Sequence, residues 1–259
     1  MKIISYVINL EGSKRRREHA TRQLEEIGIP YEFVEALDAR YQNPTDFPEY
    51  NEGKSISFVG RPMTSGEVGC YLSHLRCLRR CLETDSEYCY VFEDDFQIIA
   101  KSMLWFRGIP EAINAAGLDV DIVNLARREK RFARLVLDTD AGPMEQSFYF
   151  PISAIGLLWS KKGARAFVEQ EAEIYAPVDI MFRSLFSRTG TGFALARPLI
   201  TQAAFASDID AAASNLALPR PKPPKNLPFF LRNARRRYLC YTHAFRNMYL
   251  ARWQARQGK

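Results

Sequence analysis

Three consecutive carboxylates follow an apolar run near the middle of the chain. Tyr88–Phe92 has the pattern of a buried strand, and Glu93, Asp94 and Asp95 come directly after it. In an open α/β sheet, the carboxyl end of a strand faces the crevice where ligands bind. Adjacent negative charges cost free energy unless a cation or hydrogen-bond donors compensate them, and Mg²⁺ and Mn²⁺ prefer carboxylate oxygens. The triplet therefore favours a metal site, although acids after a strand can also cap a helix or lie in solvent.

The elements that must position these acids alternate along the chain. Short β-branched runs alternate with helical stretches, which predicts an α/β domain over residues 1–218. Six strands are expected, over Ile3–Leu10, Tyr31–Ala36, Tyr88–Phe92, Asp121–Leu125, Ala154–Trp159 and Phe193–Ala196. Between the first two strands, a helix that Ser13 could cap runs to Ile27 and is ended by Gly28 and Pro30.

The segment before the third strand divides into a loop and a helix. Residues 38–62 contain three prolines and two glycines with little periodicity, which predicts a long loop of the kind used in binding or as a lid. Thr64 and Glu67 then have the spacing of a capping box. The apolar stripe that follows predicts a helix as far as Leu82.

Composition narrows the class of protein. An apolar fraction of 47% and a charged fraction of 25% are ordinary for a globular domain. The five cysteines lack Cys-x-x-Cys spacing, so we expect reduced thiols, with Cys70, Cys77 and Cys81 buried on one helical face rather than binding metal. No run of eighteen apolar residues and no signal-peptide pattern occurs, so a location inside the cell is expected.

The positive charge is concentrated at the end of the chain. Residues 211–259 contain eleven Lys or Arg and no acid, whereas residues 1–210 contain 25 basic and 30 acidic residues. The main domain is therefore unsuited to a nucleic-acid groove, and the tail is suited to a separate anionic partner.

The tail itself has two parts. Residues 219–228 contain five prolines, which predicts a stiff linker, and residues 229–259 are expected to form a basic amphipathic helix. Its apolar stripe is formed by Leu231, Ala234, Tyr238, Tyr241, Phe245 and Met248. Such a helix can lie in the plane of an anionic membrane surface or pack back on the domain through the same stripe.

Several segments carry a family resemblance in combination. They are Val7–Leu10 with Arg16 and Arg17, then Gly66–His74, then Val91–Asp95, then Pro177–Asp179. Their order and spacing over roughly residues 1–203 resemble glycosyltransferase family 25. That family comprises bacterial lipopolysaccharide and lipooligosaccharide glycosyltransferases and is related to the collagen galactosyltransferases.

The resemblance implies a GT-A type fold with a mixed central sheet. In that fold, a short acidic motif at the end of a central strand binds a divalent metal, usually Mn²⁺ (or Mg²⁺), and a UDP-sugar donor, often UDP-galactose. Asp95 would then bind the metal together with Glu93, and Glu93 or Asp94 would face the ribose or diphosphate. The anomeric configuration would be inverted.

Residues within the matched segments become candidates for binding the donor. They are Asn9, Arg16, Arg17, Glu67, His74, Glu93, Asp94 and Gln202. Arg16 and Arg17 could reach the diphosphate, although consecutive arginines on a surface helix are also commonly solvated. His74 could contact the donor or pack as a polar core residue.

Asp179 is the candidate catalytic residue under this resemblance. An inverting displacement needs a base that takes the proton of the acceptor hydroxyl, and Asp179 lies in the matched Pro177–Asp179 segment. It also stands at the start of a predicted helix, where Asp is a common N-cap. The sequence leaves both roles open, with Glu67 as the next candidate base.

One departure concerns Ser153–Leu157, where family members usually have Gly-Thr-x-Gly-Tyr, and it puts the identity of the acceptor in doubt.

The expected function is therefore an inverting hexosyltransferase, with galactose favoured. Its partners would be a UDP-sugar and an acceptor that is a lipopolysaccharide, a lipooligosaccharide or a related glycan. The cytoplasmic protein would also bind peripherally to the inner face of the cell membrane.

Two alternative functions remain. A metal-dependent nucleotidyltransferase or phosphohydrolase also uses clustered acids, but Asp95–Ile98 lacks the Asp-x-Asp-x-Thr or Val pattern of haloacid-type phosphohydrolases. A nucleic-acid-binding module would explain the tail but not the acidic domain, so no nucleic-acid partner is expected.

Overall fold

Short apolar runs form the strands of two sheets in the computed structural model, which describes residues 1–100, 102–127, 131–170, 173–204 and 227–257. The strands are β1 (Ile3–Asn9), β2 (Glu32–Glu35), β3 (Tyr88–Glu93), β4 (Phe96–Ile98), β5 (Ile122–Asn124), β6 (Ala133–Thr139), β7 (Gly142–Ser147), β8 (Gly156–Ser160), β9 (Gly192–Leu195) and β10 (Ile200–Gln202). The helices are α1 (Lys14–Ile27), α2 (Glu52–Phe58), α3 (Ser65–Glu83), α4 (Leu104–Ala115), α5 (Lys161–Gln170), α6 (Val178–Thr189) and α7 (Leu227–Gln257).

Eight of these strands form one mixed sheet in the order β2-β1-β3-β8-β5-β9-β7-β6. β1 pairs in parallel with β2 and β3, whereas β8 runs antiparallel to both β3 and β5. The carboxyl ends of β1, β3 and β5 therefore lie at one edge of the sheet. β4 and β10 form a separate antiparallel pair, which starts directly after the acidic triplet.

Alternate residues of the central strands are buried on opposite faces of the large sheet. Tyr6 and Ile8 pack with α3 and α6, whereas Val7 packs with α1 and α4. Each face has its own apolar cluster, so the sheet is a middle layer between two layers of helices. The predicted α/β class and the mixed central sheet are confirmed.

All six predicted strands are present with shifted ends. The strand predicted over Ala154–Trp159, for example, begins at Gly156 and ends at Ser160. The sequence pattern does not predict β4, β6, β7 or β10. β4 and β10 are only three residues long, and β6 and β7 are partly exposed and carry charged side chains. Such strands lack the buried apolar runs or regular alternation by which a strand is identified.

The predicted helix ends are mostly correct. Gly28, at φ 72°, ends α1 in the left-handed conformation. The Thr64 hydroxyl accepts from the backbone N–H of Glu67 at 3.2 Å, and the Glu67 carboxylate accepts from that of Thr64 at 2.9 Å, so the capping box is confirmed. Ser13 occupies the N-cap position of α1, but its side chain makes no capping hydrogen bond. The expectation that Ser13 caps the helix is therefore wrong.

The predicted loop over residues 38–62 is only partly a loop. It contains a short 3-10 turn over Pro44–Asp46 and the helix α2. Side chains of Asn43 and Asn51 accept hydrogen bonds from backbone N–H groups at the start of each element. Polar caps rather than apolar periodicity define these elements, which explains why a pattern search misses them.

The C-terminal helix α7 packs on the main domain through one face. Residues 219–226 of the predicted linker lie outside the described part of the chain, and Leu227 and Pro228 already belong to α7. Cys240, Ala244 and Ala251 form an apolar cluster with the segment before β8. The packed face is centred on these small residues, and Tyr241 and Met248 of the predicted stripe pack against the same cluster. The other stripe residues, Leu231, Ala234, Tyr238 and Phe245, are exposed. Among the described residues, no helix has the length and apolar composition needed to cross a membrane.

Candidate active site

A cavity of about 390 Å³ lies at the carboxyl ends of β1 and β3. Its walls come from these strand ends, from residues 36–40, from the first half of α3, from the first turn of α6 and from the end of β10. The parallel register of β1 and β3 places Ile8 opposite Glu93, so Asn9 and the acidic triplet meet at one edge of the sheet. In the small sheet, Gln202 pairs with Phe96, which brings Gln202 beside Asp95. Residues far apart in sequence therefore converge on the carboxylates.

Asp94 is held by two side chains from the start of the chain. Asn9 donates from Nδ2 to Asp94 Oδ2 at 2.7 Å, and Arg16 donates from Nη1 to Asp94 Oδ1 at 2.9 Å. The same Arg16 nitrogen lies 4.0 Å from Asp95 Oδ2. The structure thus brings the predicted residues Asn9 and Arg16 into direct contact with the acidic triplet. A buried carboxylate with two such donors has a fixed orientation.

Asp95 lacks part of the compensation that Asp94 has. Its side chain is buried, and Oδ2 accepts from Gln202 Nε2 at 3.1 Å. Oδ1 is buried without a hydrogen-bond partner in the described structure. Burial raises the pKa of Asp95 to about 6, with a further rise from the charge of Glu93, although Gln202 and Arg16 act in the opposite direction. A buried carboxylate oxygen without a partner beside a cavity fits a divalent cation.

Glu93 is positioned by two side chains of α3. His74 Nε2 lies 3.2 Å from Glu93 Oε1, and the thiol of Cys70 donates to the same oxygen at 3.7 Å. Burial raises the pKa of the Cys70 thiol well above its usual range, and the charge of Glu93 adds to the rise, so the thiol stays protonated. These three residues place potential ligand atoms within 4.8 Å of one another. Cys70 is half-buried and lines the cavity, whereas Cys77 and Cys81 are buried as expected.

His74 itself is completely buried and lines the cavity. Its ring packs edge-on against Phe182 of α6, and Nδ1 has no hydrogen-bond partner in the described structure. The structure therefore places His74 both in the core and beside Glu93. The two roles that the sequence left open are compatible in this position.

One wall of the cavity, residues 36–40, overlaps the start of the loop predicted for binding, but none of its residues was named as a candidate. The backbone N–H of Leu37 donates to Ser73 Oγ at 2.9 Å, and the Ser73 hydroxyl donates to the carbonyl of Gly69 at 2.7 Å. A Cβ atom at Gly69 would lie 2.7 Å from the carbonyl oxygen of Leu37, so only glycine allows this approach. The matched segment Gly66–His74 was the available signal, because it holds this wall in place.

Asp179 lies in the first turn of α6, where the N-cap position is taken by Pro177. The alternative interpretation of Asp179 as the N-cap is therefore wrong. Burial raises the pKa of Asp179; the N–H of Ile180 opposes the rise, and the charges of Glu93 and Glu67 add to it. A carboxylate with a raised pKa is better suited to accept a proton near neutral pH than an exposed one.

A second cavity of about 310 Å³ adjoins the first. The two cavities share Cys70, Glu93, Asp179 and Gln202 in their walls. Residues 152–155 line the second cavity but not the first, in the region where the sequence departs from the usual Gly-Thr-x-Gly-Tyr pattern. Two spaces that meet at Asp179 and Glu93 can hold two molecules whose reacting atoms approach each other.

Two further candidates lie outside the larger cavity. Glu67 lines the second cavity, and its carboxylate receives two hydrogen bonds from the Arg61 guanidinium at 2.6 and 2.7 Å. Arg17 is exposed, with its guanidinium 3.8 Å from the centre of the Phe33 ring, and lines neither cavity. Of the predicted residues, the structure thus brings Asn9, Arg16, His74 and Gln202 to the carboxylates but not Arg17.

Comparisons with known proteins identify the family of the chain. Residues 2–182 match the model of the family described as glycosyltransferase family 25 (LPS biosynthesis protein). The chain is 30% identical over 190 residues to procollagen galactosyltransferase 1-A of Xenopus laevis, covering 67% of this chain and 29% of that protein. It is 33% identical over 92 residues to lipooligosaccharide biosynthesis protein lic2B of Haemophilus influenzae, covering 36% of this chain and 33% of that protein.

The match to these curated relatives spans a third or less of their own length. The family model, by contrast, extends over more than half of this chain and includes the acidic triplet, the Gly66–His74 segment and Asp179. Every side chain that contacts Asp94 or Glu93 in the hydrogen bonds described above also lies within the matched residues. The chain is a member of glycosyltransferase family 25.

Proposed function

We propose that this chain is an inverting glycosyltransferase that transfers a hexose, galactose in the first instance, from a UDP-sugar to a surface glycan. The observation that carries the proposal is Asp95, a buried carboxylate whose Oδ1 faces no donor beside a cavity walled by Glu93 and Asp94. The names of the relatives support galactose as the sugar. The description of the family supports lipopolysaccharide or lipooligosaccharide as the acceptor.

The donor belongs in the larger cavity under this proposal. We assign the domain to the GT-A type, in which Asp95 and Glu93 would hold Mn²⁺ or Mg²⁺ through their oxygens. When bound, the cation supplies positive charge that stabilises the nucleoside diphosphate as it leaves. Asn9 and Arg16 keep Asp94 in one orientation toward the ribose or diphosphate. Arg16 also lines the cavity, and its planar guanidinium is of the kind that binds phosphate oxygens.

The acceptor belongs in the second cavity, and Asp179 stands between the two. In the displacement, the acceptor oxygen attacks the anomeric carbon and the bond to the diphosphate breaks. The electron pair of that bond leaves with the UDP, and the hydroxyl proton passes to a carboxylate oxygen of Asp179. Attack from the face opposite the leaving group inverts the configuration. Asp179 suits this role better than Glu67, whose oxygens are already engaged by Arg61.

The C-terminal helix supports a peripheral contact with the cytoplasmic face of a membrane. On the side of α7 away from the domain, Tyr238, Phe245 and Trp253 are 67%, 59% and 52% exposed. Exposed arginines accompany them, among them Arg235 and Arg252. Exposed aromatic rings beside arginines match the interface of an anionic bilayer, where each basic residue contributes roughly 1 kcal/mol. A glycolipid acceptor would be found at such a surface.

A panel of nucleotide sugars tests the proposed activity. UDP release is measured for the wild-type chain with UDP-galactose, UDP-glucose and their GDP counterparts, with Mn²⁺ added or with EDTA. The proposal expects release from a UDP-hexose that needs the cation and rises when a lipooligosaccharide acceptor is present. Release that persists in EDTA would contradict the metal role. Release of nucleoside monophosphate in place of UDP would favour the nucleotidyltransferase or phosphohydrolase alternative.

A further inference from the structure

A third cavity, of about 90 Å³, lies between α6, α7 and the segment before β8. Arg183 of α6 and Arg236 and Arg237 of α7 line it together, and no Asp or Glu occurs in its described lining. Its wall includes Ile152, which also lines the second cavity. A small space with three guanidinium groups therefore adjoins the side of the molecule assigned to the acceptor.

The first guanidinium is held in a fixed orientation. Arg183 Nε donates to the carbonyl of Phe150 at 2.6 Å, and its guanidinium lies 4.2 Å from the centre of the Tyr149 ring. Arg183 Nη1 also donates to the Tyr149 hydroxyl at 3.2 Å. Arg183 also stands four residues after Asp179, so about one turn of α6 separates the cavity from the proposed base.

The second guanidinium is half-buried beside the first. Arg236 donates from Nη2 to Asn233 Oδ1 at 3.2 Å, again to a neutral group. Burial lowers the pKa of Arg236, and the positive charges of Arg237 and Arg183 lower it further, whereas Cys240 and Tyr149 oppose the change. Like charges at close range in a partly buried place cost free energy, which a bound anion would recover.

We propose that the cavity formed by Arg183, Arg236 and Arg237 binds a phosphate group carried by the acceptor glycan. A planar guanidinium group can donate two parallel hydrogen bonds to two oxygens of one phosphate. Such a pair of bonds strengthens the binding and fixes the orientation of the phosphate. The cavity has room for one such group and faces the domain, not the exposed aromatic side of α7. A phosphate in it would direct the neighbouring sugar toward Asp179. Anion binding stands on the geometry alone, and only its assignment to the acceptor rests on the proposed function.

Thermal unfolding of the full chain in EDTA tests the site without donor, metal or acceptor. The probes are inorganic phosphate, and glucose 6-phosphate against glucose, with chloride at matched ionic strength. A ligand that binds the folded state raises the unfolding temperature in a saturable way. We expect this rise with both phosphates but not with glucose, and we expect Arg236→Gln to remove at least ~80% of it. Arg235→Gln, which removes the same charge from an exposed neighbouring position, should retain it.

The outcomes separate the alternatives. No rise in the wild type, or an equal rise in Arg236→Gln, overturns the site. If Arg236→Gln does not fold, Arg237→Gln at the exposed rim is used with the same expectation. Vesicles of phosphatidylglycerol form the second arm, and Arg236→Gln should bind them as Arg235→Gln does. Selective loss of vesicle binding would make a lipid headgroup the source of the phosphate and overturn the acceptor assignment. If phosphate raises the unfolding temperature but no donor gives UDP release, the anion site stands and the proposed function is refuted.

Discussion

The acidic crevice and the C-terminal helix are opposite in charge and in the way they are held. In the crevice, Asp94 is fixed by Asn9 and Arg16, and Glu93 by His74, all through side chains brought from other elements. On α7, the exposed aromatic rings lie on the solvent side of a helix whose other face is anchored on the domain by small residues together with Tyr241. Chemistry requires atoms held to fractions of an ångström, whereas a surface contact with a bilayer does not. The comparison therefore predicts severe effects in the crevice and graded effects on the helix.

The largest effect is expected for Asp95→Asn, which keeps the size of the side chain but removes its charge. Metal-dependent UDP release should fall at least ~100-fold, because the carboxylate that would bind the cation is lost. The measurement is UDP release across a Mn²⁺ titration. The matched variant Asp38→Asn removes an acid from the same cavity but outside the acidic triplet and should cost far less. Near wild-type release by Asp95→Asn would refute the metal assignment.

Asp95→Asn should also change the stability of the metal-free protein in a way that depends on pH. Since the folded-state pKa of Asp95 is raised to about 6, the ionised form destabilises the metal-free fold. This loss of stability is absent below the unfolded pKa of roughly 4, grows as the pH rises toward 6 and stays constant above it. Asp95→Asn should therefore unfold at a higher temperature than the wild type at pH 7.5 in EDTA, and the difference should vanish near pH 4. A difference that is independent of pH would contradict the assigned cause.

Asp179→Asn should reduce sugar transfer at least ~100-fold while changing donor affinity little, because an amide cannot accept a proton at neutral pH. Transfer is measured at saturating donor and acceptor, beside a thermal melt of the same variant. Glu67→Gln serves as the comparison, although it also disturbs the ion pair with Arg61 and the helix cap. Near-normal transfer by a well-folded Asp179→Asn would assign the base to another carboxylate, with Glu67 the next candidate.

On α7, the double variant Tyr238→Ser and Trp253→Ser should weaken binding to phosphatidylglycerol vesicles by at least ~10-fold and leave UDP release unchanged. Burying each aromatic ring contributes about 1.5–3 kcal/mol, and 1.4 kcal/mol corresponds to one factor of ten. Co-sedimentation with vesicles measures the effect. Ile99→Ser, which removes an exposed apolar side chain from the main domain, should bind as the wild type does. Equal vesicle binding by both variants would rule out the aromatic face as the membrane contact.

The smallest effect is expected for Gly69→Ala, which would displace one wall of the crevice without changing a carboxylate or its partners. The added methyl group would meet the carbonyl oxygen of Leu37 at 2.7 Å, so residues 36–40 must move. We expect the donor KM to rise a few-fold and stability to fall by about 1–3 kcal/mol, as for overpacking. Gly53→Ala is the control, because its nearest neighbour would be 3.6 Å away. Equal kinetics and melting for the two variants would show that this wall does not contribute to donor binding.

Sequence reasoning correctly predicted features that depend on neighbouring residues, and it identified the family from several segments taken together. The strand before Glu93, the capping box at Thr64 and the helix end at Gly28 depend on neighbouring residues only, and all three are confirmed. Arg16 and Arg17 show the limit. Both lie in the matched segments and on the same helix, yet one contacts Asp94 and the other stacks on Phe33. Which of two adjacent residues faces a site depends on how the helix is rotated against the sheet.

The sequence by itself determined the family, the α/β class and the position of the acidic triplet at the end of a strand, because local patterns and the order of short segments along the chain encode them. Only the tertiary structure decided which partners the carboxylates have, since Asn9–Asp94 and Gln202–Asp95 join residues far apart in the chain. It also decided which face of α7 packs. Both faces of that helix are apolar, so periodicity is ambiguous, and the face with Cys240 and Ala244 packs because small side chains allow close approach to the domain.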